Sequence, residues 1–151
     1  MIRGIHHIGV HTVDLDRLRT FYGRAFGFRT VGEEFDLAEF PEAERITGVP
    51  AAAARVVMLR AENLFLELFQ WSTPDGEPIR PRKANSFGYT HFAVDVADIG
   101  AEYRRLSAIG MTFVHPSPVW SGDAASVYGH DPDGNLIEIL EIPPTNGLHR
   151  T

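Results

Sequence analysis

The chain has 151 residues, 44% hydrophobic and 23% charged, the composition of a soluble globular protein long enough to bury a proper core as one compact domain or two fused modules. A formal charge of −6 excludes the basic surface that displaces counterions from phosphates, so no nucleic-acid partner is expected. The absence of cysteine excludes disulfides, thiolate metal sites and a cysteine nucleophile, which leaves His and carboxylates as metal ligands.

The amino terminus, MIRGIHH, lacks the apolar stretch of a signal peptide, and no run of about 18 apolar residues follows. A cytoplasmic chain with no membrane partner is therefore expected. Residues 5–13 (IHHIGVHTV) read as a strand, and 15–26 (LDRLRTFYGRAF) as a helix. Leu15, Leu18, Phe21, Tyr22 and Phe26 recur at helical spacing, Asp14 stands at the cap position, and Gly27 ends the helix. Residues 28–34 are the next strand, and 35–52 read as a loop or short helix inserted over a face. A hairpin follows, AARVVMLR (53–60) turning through 61–63 into LFLELFQ (64–70).

The pattern then starts again. YTHFAVDV (89–96) is strand-like, Asp98 caps a helix over 99–109, Gly110 ends it, and MTFVH is a strand. ASVYGH (125–130) turns through DPDGN into LIEILEI. Asp14 lies seven residues after His7, and Asp98 seven after His91, so the chain carries an internal duplication. Each half reads β-α-β-β-β, an α+β class. The expected layout is a first module over 1–70, a Pro- and Gly-rich linker over 71–88, a second module over 89–142 and a tail over 143–151.

Two strands hold a carboxylate where apolar side chains dominate: Glu67 in LFLELFQ and Glu138 in NLIEILE. Burying an unpaired carboxylate costs several kcal/mol, so such a residue needs a cation, a donor network or a metal. The duplication supplies a candidate. His7 and His91 hold equivalent places in the first strands, and Glu67 and Glu138 hold equivalent places in the last. Two imidazoles and two carboxylates brought together suit one divalent ion such as Zn, Ni, Co, Mn or Fe. By strand alternation, small residues (Gly9, Ala93) follow two positions after each His, then polar ones (His11, Asp95), which leaves room for a small substrate. Tyr128, on the strand facing Glu138 across the DPDGN hairpin, joins His11 and Asp95 as a candidate pocket residue. Arg80, Arg82 and Lys83 read as a solvated loop, and His6, His115, His130 and His149 as structural or exposed.

The stretches HHIGVHTVDLDRLRTFYGRAFGF, ELF (67–69), THFAVDVADI and YGHDPDGNLIEILE, in this order, resemble the vicinal oxygen chelate superfamily. That group includes glyoxalase I, methylmalonyl-CoA epimerase, extradiol dioxygenases and drug-resistance proteins. The resemblance covers residues 4–142. It implies two βαβββ modules whose mixed sheets form a partly closed cup with helices outside, around one metal held by His7, Glu67, His91 and Glu138. It implies a homodimer acting on a small molecule with adjacent oxygens. It also implies enolate or enediolate chemistry of the glyoxalase or epimerase type, with Glu138 as the base and Glu67 as a second base. Two other activities exist within the group: an iron(II) extradiol dioxygenase, and a non-enzymatic protein that binds a drug or metabolite. Methylmalonyl-CoA epimerase itself is similar only in outline, because it uses Gln where Glu67 stands.

Overall fold

The computed structural model describes residues 1–74, 76, 80 and 83–149. The chain divides into two compact units, Met1–Pro78 and Ile79–Thr151.

In the first unit, β1 (His7–His11) leads into α1 (Leu15–Phe26) and β2 (Arg29–Asp36). A 3-10 turn (Leu37–Glu39) and the short α2 (Ala43–Thr47) then precede β3 (Ala53–Arg60) and β4 (Phe65–Thr73). The sequence sets the bounds of α1 directly. Asp14 is extended and its carboxylate accepts the Arg17 N–H, while Gly27 takes φ 69° and donates its N–H to the Gly23 carbonyl. Between these caps Leu15, Leu18, Phe21, Tyr22 and Ala25 form the buried stripe. The helix packs on β4, where Leu66 and Leu68 are buried, as are Val57 and Leu59 of β3. Each such Leu stabilises the unit by about 1.5–3 kcal/mol relative to exposure.

The four strands lie in the order β1-β4-β3-β2. The first pair is parallel, with Gly9 opposite Glu67, and the other two are antiparallel, with Met58 on the far side of Glu67. A parallel pair needs a crossover, which α1 and the strands after it supply.

The second unit repeats the plan: β5 (His91–Asp95), α3 (Ile99–Ala108), β6 (Thr112–Phe113), β7 (Val119–Ser121), β8 (Ala124–His130) and β9 (Leu136–Glu141). Here β5 runs parallel to β9 with Ala93 opposite Glu138, and β8 runs antiparallel to β9 with Tyr128 opposite Glu138. Asp98 caps α3 through the Ala101 N–H, and Ile99 and Leu106 are buried.

The expected β-α-β-β-β order gains a strand in this half. Where MTFVH should continue, β6 stops at Phe113, and β7 pairs with the opposite end of β8. The cause is local, since Pro116 and Pro118 cannot donate to a ladder. In the first unit the corresponding strand stays continuous but shifts register between Val31 and Phe35. The other departures are smaller. β1 is shorter than 5–13, β4 runs on to Thr73, and α3 ends one residue early, with Gly110 at φ 106° just beyond.

Candidate functional site

Each unit forms one His–Glu pair. His7 Nε2 is 3.2 Å from Glu67 Oε2, and His91 Nε2 is 3.3 Å from Glu138 Oε2. The register explains the match. In both parallel pairs the His stands two residues before the residue opposite the Glu, on the same face, so the side chains converge diagonally. Alternation also leaves both carboxylates on the face away from the helices. Leu66 and Leu68 flank Glu67 on the buried side, and Ile137 and Ile139 flank Glu138 in the same way. The carboxylates remain 20% and 16% exposed, open enough to meet a ligand yet largely enclosed.

The other ring nitrogen of each imidazole is also engaged. His7 Nδ1 lies 3.0 Å from His6 Nδ1, and His91 Nδ1 lies 2.8 Å from Thr90 Oγ1. Such a contact fixes the ring and leaves Nε2 aimed at the carboxylate. His6 also stacks on Phe65, at 5.1 Å between centroids. His6, which the sequence marks only as structural or exposed, and Thr90 thus support the paired imidazoles. The signal was a hydrogen-bonding residue immediately before each candidate His.

The donor set and its spacing fit a divalent ion. Adjacent ligands at about 2.1 Å from one ion stand about 3.0 Å apart in octahedral and about 3.4 Å apart in tetrahedral geometry. The two observed separations fall between these values. Among the described residues, no group of three or more His, Asp or Glu side chains is brought together, so each pair stands as two ligands.

Of the candidate pocket residues, Tyr128 belongs with a pair. Its hydroxyl is 3.4 Å from His91 Nε2, and its ring meets the imidazole edge-on at 4.9 Å. Burial, the negative charge of Glu138 and a hydrogen bond to that carboxylate raise the phenol above its ordinary pKa. Asp95 lies exposed at the end of β5, with Leu140 as its register partner. His11 ends β1 and packs against the backbone of Gly76, so closely that a Cβ there would stand 2.6 Å from the ring Cε1. Of the linker cations, Arg80 and Lys83 are exposed, and Arg82 lies outside the described residues.

Further contacts hold the pairs in place. The first amide of α1, from Leu15, donates to Gln70 Oε1, and the first amide of α3, from Ile99, donates to Glu141 Oε2. Gln70 and Glu141 each stand three residues after a paired Glu, on the opposite face of the strand, so each helix start is tied to the strand that carries the carboxylate. At the DPDGN turn the buried Asp131 accepts the N–H groups of Asp133 and Asn135 and the Asn135 side-chain amide. That carboxylate is committed to the hairpin that sets the β8–β9 register.

The family model described as the glyoxalase/bleomycin resistance protein/dioxygenase superfamily matches residues 4–139. The chain belongs to that superfamily. A 2-epi-5-epi-valiolone epimerase from Actinomyces is 30% identical, over 92% of this chain and 79% of the relative. A lactoylglutathione lyase of Arabidopsis thaliana is 24% identical over 92% of this chain, which spans only 44% of that lyase's length. A glyoxalase family protein of Bacillus cereus has the same fold, with a TM-score of 0.83 and 22% identity over 93% of this chain and 95% of its own. The fosfomycin resistance protein FosX of Listeria monocytogenes, solved with Mn(II) and sulfate, superposes with a TM-score of 0.67 at 16% identity, covering 99% of this chain and 100% of its own. This superfamily member is an enzyme of the glyoxalase and epimerase type. No helix among its described residues is long and apolar enough to cross a membrane.

Proposed function

We propose that this chain is a metal-dependent isomerase, epimerase or lyase that moves a proton on the carbon beside a carbonyl in a small substrate with adjacent oxygens. The observation that carries the reading is the duplicated His–Glu pair, with matching 3.2 Å and 3.3 Å separations. One pair alone leaves a divalent ion short of protein ligands. His7 and Glu67 from one module with His91 and Glu138 from another make a four-ligand set, within one chain or by exchange between the two copies of a homodimer. The bound ion supplies a Lewis acid for the negative charge that develops on the substrate oxygens.

The protein's own groups do the rest. Glu138 takes the proton from the carbon next to the carbonyl, and the C–H electron pair moves onto the carbonyl oxygen. Delivery to the other face of a proton already carried by Glu67, with Glu138 keeping the one it took, inverts the centre, whereas return by Glu138 to a neighbouring atom isomerises the substrate. His6 and Thr90 keep the imidazoles oriented throughout.

The test is proton exchange in deuterated water with 2-epi-5-epi-valiolone and with lactoylglutathione, the compounds named for the relatives. Metal-loaded protein should incorporate deuterium at the carbon beside a carbonyl of one of them, and Glu138→Gln should slow this by about 10²–10⁴-fold. Undiminished exchange after metal removal would contradict the metal-dependent reading. Retained exchange in Glu138→Gln would remove that residue as the base.

A further inference from the structure

In the first unit, the sheet face that carries the His7–Glu67 pair is polarised along its strands. Register partners share a face, so the row that starts at His7 continues through Phe65 to Arg60 and Arg29. On the other side of Glu67 the same strands present Phe69, Val56 and Phe35, an apolar row. The row of the second unit that matches the first, His91, Leu136, His130 and Thr112, holds no permanent cation. Two guanidiniums beside one half-site are therefore a property of the first unit's sequence and not of the repeated plan.

Arg29 and Arg60 are direct register partners, and like charges so placed destabilise a strand pair. Among the described residues no carboxylate pairs with either, and both are exposed. Arg55, on the helix side of the same β3, is by contrast neutralised by Glu34 at 2.6 Å and Asp16 at 3.2 Å. Arg60 leans toward β4: its guanidinium carbon lies over the Phe65 ring, 5.8 Å from the centroid. Phe65 is also the register partner of His7, so this contact holds the charge on the side of the pair, within about 10 Å, two strand spacings, of the His7 backbone. From this placement we infer that Arg60, seconded by Arg29, binds an anionic group of the substrate. The guanidinium donates to a carboxylate or phosphate oxygen while the substrate's adjacent oxygens meet the ion. The substrate class follows: a small acid whose anionic group stands a few bonds from its chelating oxygens. This inference rests on the proposed four-ligand site.

A matched set of hydroxamates tests this on the cobalt(II)-loaded full chain, with binding followed by calorimetry and cobalt content measured separately. Acetohydroxamic acid has only the chelating oxygens, succinic monohydroxamic acid adds a carboxylate, and phosphonoacetohydroxamic acid adds a phosphonate. The wild type should bind at least one anionic probe about tenfold or more tightly than acetohydroxamic acid, the effect of a charge-assisted hydrogen bond, and the preferred probe names the anion. Arg60→Met, which keeps an apolar chain over Phe65, should lose most of that preference while cobalt content and acetohydroxamate affinity stay within about twofold of wild type. Arg29→Met should weaken the preference by about two- to fivefold, as the loss of an exposed charge. A wild type without preference, or a preference untouched by Arg60→Met, would overturn the inference while leaving the metal site intact. Loss of cobalt from Arg60→Met would overturn it as well, by making the arginine a support for the pair. Wild-type protein that takes up no cobalt would instead bring down the four-ligand reading and this inference with it.

Discussion

Glu138 and His91 meet at 3.3 Å in the second module because Ala93, two residues beyond the histidine, is the register partner of the glutamate. Glu67 and His7 meet at 3.2 Å for the same reason, with Gly9 in the place of Ala93. A Cβ on Gly9 would lie 3.6 Å from Phe69, an ordinary contact. The small residue there leaves space beside the pair and does not relieve a clash.

The contact behind each histidine gives the first prediction. Thr90→Val removes the partner of His91 Nδ1 while keeping the branched shape suited to the strand. Metal affinity should fall by about 10–100-fold, the usual effect of losing such a support. Competition against a colorimetric chelator measures it. Unchanged affinity would show that other contacts orient the ring.

Glu67→Gln separates holding the ion from moving the proton. The amide keeps an oxygen for the metal but cannot accept or return a proton as a carboxylate does. Deuterium exchange through Glu138 should persist, while inversion at the exchanging carbon slows by about 10²-fold or more. Equal loss of both would mean that Glu67 has no separate proton-transfer role.

Helix capping gives a prediction about stability. Asp14→Ala and Asp98→Ala each remove the side-chain acceptor of a first-turn amide. Each should cost about 1 kcal/mol and lower the melting temperature by about 2–4 °C. A thermal melt followed by far-UV circular dichroism is sufficient. A drop many times larger would point to a role beyond the cap.

Gly129 is a sharper structural case. A Cβ there would lie 2.7 Å from the Met111 Cε and 2.9 Å from a ring carbon of Phe113. Gly129→Ala should therefore destabilise the chain by about 1–3 kcal/mol, read from the urea midpoint. An unchanged midpoint would mean that Met111 and Phe113 both shift at no cost.

Much of this arrangement was legible because short-range chemistry fixes it. The apolar spacing of Leu15 to Phe26, with Asp14 and Gly27 at the ends, specifies α1 without help from the rest of the chain, although Ala25 and not Phe26 completes the buried stripe. The equal spacing from His7 to Asp14 and from His91 to Asp98 revealed the duplication, while the pairing of each glutamate with the histidine of its own half depends on the β1–β4 and β5–β9 register. The division of one expected strand into β6 and β7 was harder to read, although Pro116 and Pro118 were in view, because pairing depends on what β8 offers at each end. The roles of His6 and Thr90 were hidden for another reason. Adjacent residues in an ideal strand point to opposite faces, so a contact between neighbours arises only where the strand begins.

The central claim is that His7, Glu67, His91 and Glu138 together hold one divalent ion. Its most direct test is metal uptake by chelator-stripped full-length protein, titrated with nickel or cobalt and followed by calorimetry and elemental analysis. The account predicts uptake of one ion per chain by the wild type, and loss of stoichiometric uptake in both His7→Ala and His91→Ala while each variant keeps its fold. Wild-type uptake of no ion, or one ion per chain still held by either variant, would contradict it.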